Sequence, residues 1–206
     1  MDSSQPESFW NWFIENQSQY LFIKQVNEGE RNRLLNTFLD KLHSYNENLY
    51  FEIGGNSIEH KVDLVISADG IIEHFDSVEK LVNKAPNLTD WNIIAFKPPK
   101  PEDTTLEVDG ISFDAQKIIF IPLTSDDAPG SVAIRVCFAE FNEDQIELYT
   151  SATFLLLDAL IGEKETALKI DYLDVVKTPE NINDYPFLHL SNISDYIKEI
   201  KGAVNN

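Results

Sequence analysis

A single cysteine, Cys137, is the first constraint in this 206-residue chain. It excludes an intrachain disulfide and argues against a cysteine-rich metal centre. Its setting, SVAIRVCFAE, reads as a strand, where a free thiol behaves as a small buried hydrophobe. Basic residues are scarce too: 16 Lys and Arg stand against 35 Asp and Glu, a net charge of -19. Such a chain is repelled by nucleic-acid phosphates and anionic lipid surfaces, so binding to neither is expected. The longest nearly uncharged run, Leu148 to Ile161, is shorter than the roughly 20 residues a bilayer span needs. The opening MDSSQPES has no basic region followed by an apolar one, so no signal peptide is read and cytoplasmic residence is expected. Gly54-Gly55 lacks the spacing of a phosphate loop or dinucleotide fingerprint. Neither GxSxG nor HExxH occurs, and no cofactor is expected.

With 43% hydrophobic and 11% aromatic residues, the composition is globular. Phe9, Trp10, Phe13 and Ile14 recur at helical spacing, with Trp12 on the flank. Leu34, Leu35, Phe38, Leu39 and Leu42 form the apolar stripe of a second helix over about 28–45. LYFEI (49–53) and VDLVIS (62–67) read as strands, and Asp69-Gly70 as a turn. Asp76 is read as an N-cap, with Glu79 completing a capping box before a helix that Pro86 stops. WNIIAF (91–96) is the next strand. Pro98, Pro99 and Pro101 stiffen the following loop, making 98–104 the internal boundary candidate in an otherwise single domain.

Asp109-Gly110 reads as the turn of a hairpin, followed by strands at 117–121 and 131–140 separated by an acidic turn. Pro122 is taken to bound the first of these strands. Asn142 and Gln145 cap a long helix that Gly162 ends, apolar enough to be buried on most sides. A strand is expected at 167–176. A last helix carries Ile193, Tyr196, Ile197 and Ile200 on one face. The order strand-strand-helix-strand thus occurs twice. The expected fold is α+β, with a mainly antiparallel or mixed sheet covered by helices, and duplication of the strand-strand-helix-strand unit is the candidate way of building it.

Chemistry-bearing residues are few. Glu52 interrupts an apolar strand, and Ser67, Asp69 and Lys97 lie at the ends of the next two. If those strands are neighbours, all four meet at one sheet edge, where a carboxylate can do acid–base work. The competing reading is a solvated Glu, a turn-forming Asp and a Lys entering a loop. His60 and His74 flank a strand among several acids, and imidazole with carboxylate is a common ligand set. Their spacing matches no ligand pattern, and chance proximity explains the acids, so no metal is expected. Trp10 and Trp12 offer either a docking surface or core packing.

VISADG, FDSVEKLVNKAP, WNIIAFKP and LLLDALIGE together resemble a group of uncharacterised bacterial proteins, over about residues 9–175. The resemblance implies bacterial origin and carries no catalytic residue.

The leading functional expectation is a non-enzymatic cytoplasmic protein-binding module, immunity- or inhibitor-like, with a basic partner. The alternative is a small carboxylate-using hydrolase or ligand-binding enzyme around Glu52 and Asp69. A third reading is nucleic-acid mimicry, which needs acids spaced like phosphates along one face.

Overall fold

The computed structural model describes residues 5–54, 61–101, 104–123 and 131–204. The fold is α+β. The chain forms two compact units, Met1–Lys97 and Pro98–Asn206.

The first unit begins with α1 (Pro6–Asn16), a short α2 (Ser18–Leu21) and α3 (Glu28–His43). Pro6 occupies the first turn of α1, where its missing N–H costs nothing. The Asn27 side chain caps α3 by accepting from the Glu30 N–H at 3.0 Å. Strand β1 (Tyr50–Gly54) runs antiparallel to β2 (Val62–Ser67). β2 then runs parallel to β3 (Trp91–Ala95) across the helix α4 (Phe75–Asn83). Register places Phe51, Leu64, Ile66 and Trp91 on one sheet face. The helices cover that face: Phe38 of α3 meets Phe51 at 4.1 Å, and Phe13 of α1 meets Trp91 at 5.0 Å. The Trp10 indole donates to the Leu81 carbonyl at 2.8 Å, tying α1 to α4.

The aromatic N-terminus therefore packs inward: Trp10 is buried, and Trp12 is half-buried against Phe38 and Tyr20. Ile14, assigned to the same stripe, is exposed. Asp76 is not the N-cap of its helix. A 3₁₀ turn over Ile72–His74 leads into α4 at Phe75, one residue earlier. The cause is tertiary, because Phe75 is held against Phe96 with ring centres 4.6 Å apart.

The second unit opens with the hairpin β4 (Thr105–Val108) and β5 (Ile111–Asp114). Asp109 and Gly110 turn it at φ 49° and 77°, the two left-handed residues a type I′ turn requires. β6 (Ile119–Leu123) pairs antiparallel with β7 (Val132–Phe138). The helices α5 (Ile146–Ile161) and α6 (Glu163–Lys169) lead to β8 (Ile170–Lys177), parallel to β7. β9 (Leu188–His189) adds to the other side of β6, and α7 (Ile193–Val204) follows. Phe120, Ile134 and Val136 form the core with Leu156 and Leu157 of α5 and Ile193 and Ile197 of α7.

Three expectations change here. Pro122 lies inside β6, not at its end, because β9 pairs only with Ile119 and Phe120 and asks for no N–H at position 122. The strand placed at 167–176 begins at Ile170, since α6 takes the residues before it. α5 is not buried on most sides: Ile146, Phe154 and Leu155 are exposed.

The two units share a three-stranded core motif. Setting aside the β4–β5 hairpin and β9, β1–β2 and β6–β7 pair antiparallel, and β2–β3 and β7–β8 pair parallel with helix between. In each, a 3₁₀ turn enters the crossover helix: Ile72–His74 before Phe75, and Glu143–Gln145 before Ile146. Both turn and helix recur at a spacing of 71 residues (143 minus 72, 146 minus 75). That spacing sets Ala139 and Glu140 at the positions of Ala68 and Asp69 in the first unit.

Candidate functional site

Three of the four residues nominated at the sheet edge come together. Ser67 ends β2 and is fully buried. Its hydroxyl accepts from the Asp69 backbone N–H at 2.9 Å and lies 3.3 Å from Asp69 Oδ1, to which it can donate. The Lys97 ammonium, just beyond β3, donates to the same oxygen at 2.6 Å. The Lys97 side chain is 18% exposed and that of Asp69 46% exposed, so the pair is shielded from one side only.

The backbone supports this arrangement. Asp69 and Gly70 have φ of 47° and 78°, and the Ile71 N–H closes the turn onto the Ala68 carbonyl at 3.0 Å. Phe96, next to Lys97, also sits at positive φ, 65°, a real outlier for a bulky residue. Its N–H donates to the Ile66 carbonyl at 2.8 Å while its ring packs on Phe75, and these contacts hold the strained conformation. Three left-handed residues, Asp69, Gly70 and Phe96, thus flank the carboxyl ends of the parallel pair β2–β3, the edge where α/β units commonly place ligands.

Glu52 does not join them. The register pairs Tyr50 with Ser67 and Glu52 with Val65, so Glu52 lies one step further from the carboxyl edge, exposed. Its carboxylate makes no hydrogen bond or ion pair with another described residue. His60 lies outside the described residues, as does the acidic turn containing Asp126 and Asp127. His74 stands at the end of the 3₁₀ turn before α4, half-buried. Among the described residues no group of three His, Cys, Asp or Glu could hold a metal ion. Cys137 is buried, and burial pushes its thiol up to about 11, against the opposing pull of Arg135.

Chemically, the Ser67–Asp69–Lys97 group is a satisfied network. The serine oxygen is out of solvent and already accepts an N–H, and the carboxylate faces an ammonium. It orders the strand ends; it does not present a free nucleophile.

Sequence reasoning missed the equivalent edge of the second unit. There Phe138 and Glu140 take the places of Ser67 and Asp69, and a cavity of about 390 Å³ opens between β5, the end of β7 and the first turn of α5. The spacing between ADG and AEF was the available signal.

Comparison with family models, curated proteins and solved structures finds no match to this chain. Among the described residues, no helix is long and apolar enough to cross a membrane.

Proposed function

We propose that the chain is a non-catalytic binding protein whose partner is a protein with a basic surface, captured in the manner of an immunity protein or inhibitor. The net charge of -19 carries this reading. Charge of one sign in such excess raises the encounter rate with an oppositely charged partner and disfavours others. It is unevenly held: residues 98–206 contain 20 acidic and 8 basic residues, net -12, against 15 and 8, net -7, for residues 1–97. The hydrolase alternative gains no support from a buried, hydrogen-bonded Ser67 and a Glu52 that stands apart.

The test is a tagged pull-down from the native host's lysate at about 0.1 M and about 1 M salt, where the Debye length falls from about 10 Å to about 3 Å. An unrelated protein of similar size and charge serves as control. A basic protein captured by this chain alone, and released at high salt, supports the proposal. Capture indistinguishable from the control at both salts overturns it.

A further inference from the structure

The cavity of the second unit has the make-up of a small-molecule site. Its volume of about 390 Å³ falls in the range of ligand pockets, roughly 300–1,000 Å³. Phe113, Phe138 and Tyr149 form one wall as edge-to-face pairs, with centroids 4.9 to 5.9 Å apart. Ile111 and Ile118 extend that apolar lining.

The polar groups are uneven. Tyr149 is 5% exposed, and its hydroxyl has no hydrogen-bond partner among the described residues. The only described side-chain N or O atom both sealed from solvent and unpartnered is Trp91 Nε1. The Tyr149 hydroxyl is therefore not sealed, and Tyr149 is one of the residues that line the cavity. A buried aromatic that keeps a phenol unpaired is poised to meet a polar atom of an occupant. At the rim stand Asp114, Glu140 and Lys117. Lys117 reaches Asp114 at 3.3 Å from an 85% exposed side chain, which leaves Glu140 without an ion partner among the described residues. The rim therefore carries one uncompensated negative charge, in the more acidic unit.

We propose that this cavity binds a small amine with an aromatic or compact apolar body. The ring fills the space beside Phe113 and Phe138, while the ammonium meets Glu140 and the Tyr149 hydroxyl. The claim is independent of the proposed protein partner, since its test involves none.

The full chain is titrated with 2-phenylethylamine and, separately, with phenylacetate, which has the same ring and opposite charge, by ligand-observed NMR and calorimetry. The amine is expected to bind with a Kd near or below about 1 mM, reasonable for so few atoms, and phenylacetate at least about ten-fold more weakly. Tyr149→Phe and Glu140→Gln are each expected to weaken the amine by about three- to ten-fold. Glu140 is exposed at the rim, so its variant keeps the test valid if Tyr149→Phe fails to fold. Equal binding of the two probes overturns the proposal. So does no amine binding up to about 10 mM, an order of magnitude beyond the expected Kd, or binding that Glu140→Gln leaves unchanged.

Discussion

Replacing Asp69 separates the two things its side chain and backbone do. The carboxylate accepts from Lys97 and faces the buried Ser67 hydroxyl, while the backbone holds φ at 47°. Asp69→Asn keeps a local acceptor and a residue tolerant of left-handed geometry, and loses only the ionic part of a half-exposed pair. The cost is about 0.5–1 kcal/mol. Asp69→Gly removes both side-chain contacts but suits the backbone, at about 1–2 kcal/mol. Asp69→Ala removes the contacts and also forces a left-handed alanine, adding about 1 kcal/mol for a total of about 2–3 kcal/mol. The order is therefore Asn, Gly, Ala, from mildest to most severe. Urea unfolding followed by tryptophan fluorescence is the assay. All three tryptophans, Trp10, Trp12 and Trp91, lie in the first unit, so the signal reports the unit that holds Asp69. An alanine variant no less stable than the glycine variant would refute the claim that the turn is conformationally demanding.

Three further outcomes follow from the same geometry. Phe38 is fully buried among Phe9, Phe13, Tyr20 and Phe51, so Phe38→Ala should cost about 3–5 kcal/mol in the same urea assay; a loss under about 1 kcal/mol would show that this cluster is not the core. Burial pushes the Tyr20 hydroxyl up to about 12 from an unfolded value near 10, so its stabilising share is complete below pH 10 and lost as pH rises towards 12. Tyr20→Phe should flatten that decline in midpoints measured from pH 9 to 11.5, and an unaltered slope would assign it to other groups. Buried Cys137, its thiol pushed up to about 11, should react with a disulfide reagent at pH 8 at least about ten-fold more slowly in the native chain than in urea, which equal rates would contradict.

Much of this fold was legible because its signals are local. Asp69-Gly70 and Asp109-Gly110 were readable as turns because few other pairs accept two left-handed residues in succession. The stripes of α3 and α7 followed from period alone. What was hidden depends on partners distant in sequence. Phe75 begins α4 because Phe96 holds it, and no window around Asp76 contains that fact. Pro122 is tolerated inside β6 because of where β9 stops. The candidate site divides the same way. Strand ends brought Ser67, Asp69 and Lys97 within reach, whereas Glu52 was misplaced because alternation gives the face of a residue but not its register. The cavity by Tyr149 needed the hairpin, β7 and α5 assembled before it existed at all.

Capture of a basic partner by charge is decided by the two-salt pull-down from host lysate. One basic protein is expected, absent from the equally acidic control, held at about 0.1 M salt and released at about 1 M. A lane matching the control at both salts, or a partner retained undiminished at the higher salt, would contradict it.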